Sequence, residues 1–173
     1  MFFNVQELEL RKIPFLRTFA PGELDLLDER LRQPVPIVVE GVAELTGPAD
    51  EICVSGHLTA VIETACDRCL VPVRLPLDGD FSLLYRPETA DDLIEEHEIS
   101  AAETEVGFYE GPGIELAGVI REQILLWLPM HPVCREDCRG ICPRCGEDRN
   151  QNLCACHQEN IDDRWSTLRN IRS

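Results

Sequence analysis

The sequence predicts an α+β fold: an antiparallel, barrel-like β-sheet with one packing helix and a cysteine-rich C-terminal module. Three observations predict it. Two long stretches alternate apolar and polar residues with period two, and a later stretch carries apolar residues at helical spacing. Six of the nine cysteines then fall within the 23 residues from Cys134 to Cys156. With 173 residues, 44% hydrophobic and 28% charged, the chain has an ordinary globular balance and room for roughly one or two domains. The expected division has two parts. Residues 1–133 are mainly β, with an acidic loop at 86–105 and a helix at 114–128. Residues 134–173 form the cysteine module and a short helix.

In chain order, residues 1–34 are the least regular. Phe2, Phe3, Val5, Leu8 and Leu10 suggest an edge strand, Pro21-Gly22 a turn, and Leu24, Leu27 and Leu31 a short amphipathic helix, all packing over a sheet. Ile37 to Leu45 reads as a strand. From Ile52 to Ala65 the even positions are apolar (Ile52, Val54, Leu58, Ala60, Ile62) and the odd ones mostly polar, so one face is buried. Cys53 is taken as a buried thiol within this strand. From Val71 the odd positions are apolar through Tyr85, and Pro72 and Pro76 on the other side point to an edge. Cys66-Asp67-Arg68-Cys69 therefore joins two long strands.

Residues 86–105 contain eight acids and few apolar residues, the composition of a solvated, disordered loop, acting as a linker or as a docking segment for a basic partner. Val106 to Glu110 is a brief strand and Gly111-Pro112-Gly113 a turn. Leu116, Val119, Ile120, Ile124, Trp127 and Leu128 form the stripe of a helix that Pro129 stops. Asp162 to Arg172 suits a short helix anchored by Trp165 and Leu168, with acids at its start and arginines at its end. No apolar run reaches the eighteen or so residues of a membrane span.

The cysteine spacings suit zinc, which takes four ligands in a tetrahedron. Cys142-Pro143-Arg144-Cys145-Gly146 is a knuckle, with proline holding one turn dihedral and Gly146 free to adopt positive φ. Asp148 and Asn150 to Asn152 supply turn residues before Cys154 and Cys156 return. Preferred pairing puts Cys142, Cys145, Cys154 and Cys156 around one ion, and Cys66, Cys69, Cys134 and Cys138 around a second. The alternative is one site in the tail, with Cys66 and Cys69 free of metal. Iron also tolerates tetrahedral sulfur. Disulfides are disfavoured because residues 1–10, with Glu7 and Glu9 among them, do not resemble a signal peptide, so a reducing cytoplasmic setting is expected. A thiol redox pair would open a helix in a βαβ unit, whereas Cys66 and Cys69 lie between strands.

Formal net charge is −16. Residues 134–173 hold seven arginines and seven acids, so the whole excess rests on residues 1–133. Such a body repels phosphate, and the tail has no basic stripe. A basic protein partner fits the body; Arg139, Arg144 and Arg149 are candidates for local RNA contact. Arg68 either orients a thiolate, contacts a partner or pairs with a surface acid such as Asp67.

These motifs resemble the YceD family. The matching features are Cys66-Asp67-Arg68-Cys69-Leu70 after a long strand and the helix Ile120 to Pro129. To these are added Cys134-x-x-x-Cys138-Arg139-Gly140-Ile141-Cys142-Pro143-x-Cys145-Gly146 with a later Asn and Cys-x-Cys, and Asp163-Arg164-Trp165 before Leu168. They span most of residues 35–170. The resemblance implies a role in accumulation of large-subunit (23S) ribosomal RNA in bacteria and plastids, without an enzymatic reaction. The expectation is a non-enzymatic assembly factor that binds a ribosomal protein or precursor rRNA. One alternative is a redox-sensitive zinc switch. The other is a metal-dependent enzyme, for which His131 and His157 are the histidines flanking the cysteines and no nucleophile–base pair, phosphate loop or small-molecule site is evident.

Overall fold

The structure, a computed structural model, describes residues 1–47, 50–88, 106–152 and 154–156. Strand β1 (Phe2–Asn4), the single turn α1 (Val5–Leu8) and β2 (Ile13–Phe19) open the chain. Next come β3 (Ile37–Thr46), β4 (Glu51–Ala65), β5 (Pro72–Pro87), β6 (Val106–Tyr109), β7 (Gly113–Glu115) and helix α2 (Leu116–Trp127).

Five strands form one sheet in the order β2-β3-β4-β5-β6, antiparallel except for the parallel β5–β6 pair. The barrel expected from the alternation does not close: β2 and β6 are the outer strands, and they do not pair with each other among the described residues. Strand β6 meets β5 only from Leu84 to Pro87, so most of β5 has one unpaired edge among the described residues. Pro72 and Pro76 lie on that stretch, where proline, having no N–H, limits further pairing.

The alternation places the core as expected. Ile52, Val54, Leu58, Ala60 and Ile62 of β4 are buried, opposite Val39, Ala43, Leu77 and Tyr85 of the neighbouring strands. One row of this face runs Phe15–Gly41–Gly56–Phe81 across four strands. The two glycines approach so closely that a Cβ on Gly56 would overlap Glu40 O and stand 2.8 Å from Gly41 Cα. Phe15 lies over Gly41, and Phe3 packs on Phe15 with ring centroids 5.5 Å apart.

Helix α2 covers this face with Leu116, Val119, Ile120 and Ile124, all buried, and sets Trp127 over Gly79. Its start has no side-chain cap; the Leu116 N–H donates to Met1 O, which the β1–β7 pair brings alongside. Leu128 turns extended before Pro129, ending the helix.

Residues 1–34 depart most from expectation. The edge strand spans only Phe2–Asn4 before α1, and β2 had no clear signal. The Leu24–Leu31 stretch is not a helix. Asp25 and Asp28 side chains accept the N–H groups of Leu27 and Arg30, turning the chain locally. Leu27 takes φ 59 and is exposed, whereas Leu24 and Leu26 enter the core. Cys53, expected buried, is only half-buried, on the outer face near Ser82. The supposed acidic loop starts later, since Arg86 and Pro87 finish β5 and Arg86 pairs with Glu51 at 2.9 Å. The remainder of that loop, residues 89–105, and the expected helix at 162–172 lie outside the described residues.

Candidate metal centres

The turn between β4 and β5 is a tight knuckle. Leu70 N–H donates to Cys66 O and Cys66 N–H to Val71 O, at 2.9 and 2.8 Å. Leu70 takes φ 63, a left-handed conformation that costs a branched side chain free energy and turns the chain after the second cysteine. Beyond α2, Pro132 O accepts the Asp67 N–H at 2.9 Å, which draws the following residues onto this knuckle. Four sulfurs meet there: Cys66, Cys69, Cys134 and Cys138, with ligand atoms all within 4.8 Å of one another. Val71, Val73 and Val133 pack around them.

The second group is Cys142, Cys145, Cys154 and Cys156, within the same 4.8 Å limit. Gly146 takes φ 74 after the knuckle and its N–H donates to Cys142 O at 2.9 Å, while Cys142 N–H donates to Glu147 O. These are the two sets that spacing favours. Cys66 and Cys69 lie against Cys134 and Cys138 rather than apart from the other cysteines.

The donor sets fit a tetrahedral ion. A zinc–sulfur distance near 2.3 Å requires sulfur–sulfur edges of about 3.8 Å. Cys66–Cys138 and Cys69–Cys134 stand at 3.9 and 3.6 Å. Sulfurs this close cannot all ionise without a cation, and their acidities separate. Burial pushes Cys66 up, but N–H groups of Cys134, Cys69 and Arg68 outweigh it and bring it to about 6. Burial and the neighbouring sulfurs push Cys134 up to about 12. In the second group, N–H groups of Cys145 and Arg144 bring Cys142 to about 6, while the Cys145 sulfur and burial push Cys156 to about 12. The groups differ in access. Three sulfurs of the first group, Cys66, Cys69 and Cys138, are buried and Cys134 is exposed; in the second only Cys142 is buried, with Cys154 half-buried and Cys145 and Cys156 exposed.

A family model described as "Large ribosomal RNA subunit accumulation protein YceD" matches residues 54–172, from near the start of β4 through both sulfur groups. The chain belongs to the YceD family. An uncharacterized protein of Mycobacterium tuberculosis is 34% identical over 147 residues, covering 84% of this chain and 65% of that protein. The chain thus spans less than two thirds of that relative's length. The uncharacterized protein YlbN of Bacillus subtilis is 25% identical over 149 residues, 84% of this chain and 80% of its own. A Zea mays relative, "Large ribosomal RNA subunit accumulation protein YCED homolog 1, chloroplastic", is 25% identical over 168 residues, 82% of this chain and 55% of its own. No solved structure matches.

The remaining candidate residues of this YceD chain divide by position. Arg68 turns inward: its Nη1 donates to Glu136 O and Cys138 O, each at 3.0 Å, and its backbone N–H lies 3.4 Å from Cys66 Sγ. Of the three readings for Arg68, the pair with Asp67 does not form; Asp67 meets His131 at 3.1 Å instead. His131 stands outside both sulfur groups, and His157 outside the described residues. Arg139 and Arg144 are exposed and Arg149 half-buried on the second group's surface. The sequence places Asn150 as a turn residue and as the later Asn of the family motif, without a contact to a sulfur. In the structure Asn150 donates to Cys138 Sγ at 3.4 Å, and its place between two cysteine knuckles was the available signal. No helix among the described residues is long and apolar enough to cross a membrane.

Proposed function

We propose that this YceD protein supports large-subunit (23S) ribosomal RNA accumulation as a non-catalytic binding factor whose two four-cysteine groups each hold a structural zinc ion. The observation that carries the reading is the donor set. All four corners of each group are sulfur, which leaves no position for a substrate or activated water, the mark of a structural rather than a catalytic zinc site. Iron meets the same geometry, and elemental analysis of the purified chain distinguishes the two metals.

The partner surface follows from charge. The excess of −16 rests on residues 1–133, and the outer sheet face presents Glu40, Asp78 and Asp80 to solvent. A basic ribosomal protein complements that face, whereas precursor rRNA is repelled by it. Arg139, Arg144 and Arg149 provide a route to RNA, through the tail.

Gradient sedimentation of a lysate from the protein's own host, at low and high salt, tests this. The protein is expected with large-subunit precursors at low salt and free at high salt, with crosslinks to a basic ribosomal protein. Crosslinks to RNA alone would reverse the partner assignment. A protein that stays at the top of the gradient at both salts overturns the binding-factor reading.

A further inference from the structure

Cys138 and Cys142 belong to different sulfur groups, and only Arg139, Gly140 and Ile141 separate them. That link is held from both sides. Ile141 N–H donates to Arg68 O at 2.9 Å, and Arg149 N–H to Gly140 O at 3.0 Å. Gly140 takes φ 69, and a Cβ there would stand 2.8 Å from Arg68 O.

A side chain of the second group reaches a sulfur of the first. Asn150 lies on the loop from Cys145 to Cys154, in the second group, yet its amide nitrogen is 3.4 Å from Cys138 Sγ in the first. The amide's orientation is determined by its other contacts. Oδ1 accepts from Arg139 N–H at 2.8 Å and from Arg135 Nη2 at 2.9 Å, both donors only. Nδ2 faces Asp148 Oδ1 at 2.8 Å and the Cys138 sulfur, both acceptors. A flipped amide would set like against like at all four contacts.

The position of Asn150 depends in turn on the second group. Asp148 Oδ1 accepts the Asn150 N–H at 2.9 Å, and Asp148 O accepts those of Gln151 and Asn152. Asp148 also bridges to Ile141. Cys142 and Cys145 hold one end of this turn and Cys154 and Cys156 the other, so an ion bound by all four fixes the turn that presents the amide.

We infer that Asn150 is a positioning residue for the Cys138 thiolate, through which the second metal site governs how tightly the first holds its ion. This rests on the zinc reading above. An N–H donated to a thiolate fixes its direction and draws charge from the sulfur, and outer partners of this kind change metal affinity about 10- to 100-fold. Emptying the exposed second group releases the turn, withdraws the amide and loosens the buried first group.

Cadmium-113, loaded into the reduced full-length chain, tests the inference by magnetic resonance. The wild type shows two cadmium signals, one of them correlated through the hydrogen bond with an Asn150 amide proton. Asn150→Asp keeps the oxygen used by Arg139 and Arg135 and removes the donor; Asn150→Leu removes both. Each variant is expected to shift the first-site signal and speed release of that ion to a chelator about 10- to 100-fold. Cys145→Ser with Cys156→Ser speeds first-site release in the wild-type background and adds nothing to Asn150→Leu. A chain that takes up no cadmium overturns the metal reading and this inference with it. Two bound ions with no Asn150 correlation, or with first-site release unchanged in the variants, overturn this inference alone. If the variants fail to fold, the wild-type correlation decides.

Discussion

On the zinc reading proposed above, removing the ion from the first sulfur group opens a long cross-link. Cys69 and Cys134 stand 65 positions apart, and the group ties the β4–β5 knuckle to the segment beyond α2. In the chain-entropy picture, closing a loop of that length restricts the unfolded chain by about 4 kcal/mol at 25 °C. For a chain of this size each kcal/mol corresponds to roughly 2–4 °C of Tm, so stripping the metal lowers Tm by roughly 8–16 °C. The contacts that survive among the described residues include a few backbone hydrogen bonds, the Arg68 clasp on Glu136 O and Cys138 O, the Asp67–His131 pair and a small valine cluster. Differential scanning calorimetry under reducing conditions, with and without a strong zinc chelator, measures the effect. Cys134→Ser with Cys138→Ser should reproduce it without chelator. A metal-loaded chain whose Tm stays within about 2 °C after stripping would show that those contacts alone close the loop, and the clip reasoning would be wrong.

Two further outcomes follow from the sheet. Gly56→Ala drives a Cβ into Glu40 O and Gly41 Cα, backbone atoms that cannot step aside, so the loss reaches or exceeds the roughly 1–3 kcal/mol typical of overpacking. Urea unfolding measures it, and a variant as stable as the parent would contradict the close crossing. On the outer face, hydrogen bonds from His57 to Asp80 and Asp78, each 2.8 Å, raise the imidazole pKa above its usual 6.5. That contribution to stability is complete below the unfolded pKa and is lost as pH rises through the raised folded value. Ring proton shifts followed against pH should give a midpoint above 6.5 that falls back in Asp78→Asn with Asp80→Asn; an ordinary midpoint in the parent would refute the clamp.

Strands β3, β4 and β5 were legible because period-two burial repeats over ten or more residues, enough to set both faces. Helix α2 was legible from its stripe and from Pro129. Strand β7 was not, and β1 was read only as part of a longer edge strand, because both are three residues long and depend on each other about 110 positions apart. The Leu24, Leu27, Leu31 spacing imitated a helix, yet Asp25 and Asp28 captured the local N–H groups first.

The sulfur sets divide in the same way. Knuckle spacing by itself determined which cysteines face one another locally, since two residues between sulfurs leave little freedom. The order of residues along the chain also located the excess charge on residues 1–133 and the family motifs. Only the tertiary structure decided that the sheet stays open, that Arg68 points to carbonyls rather than to an acid, and that Asn150 reaches from one sulfur group to the other. Each of those depends on segments distant in sequence being packed to within a hydrogen bond's length, and no local pattern encodes such a distance.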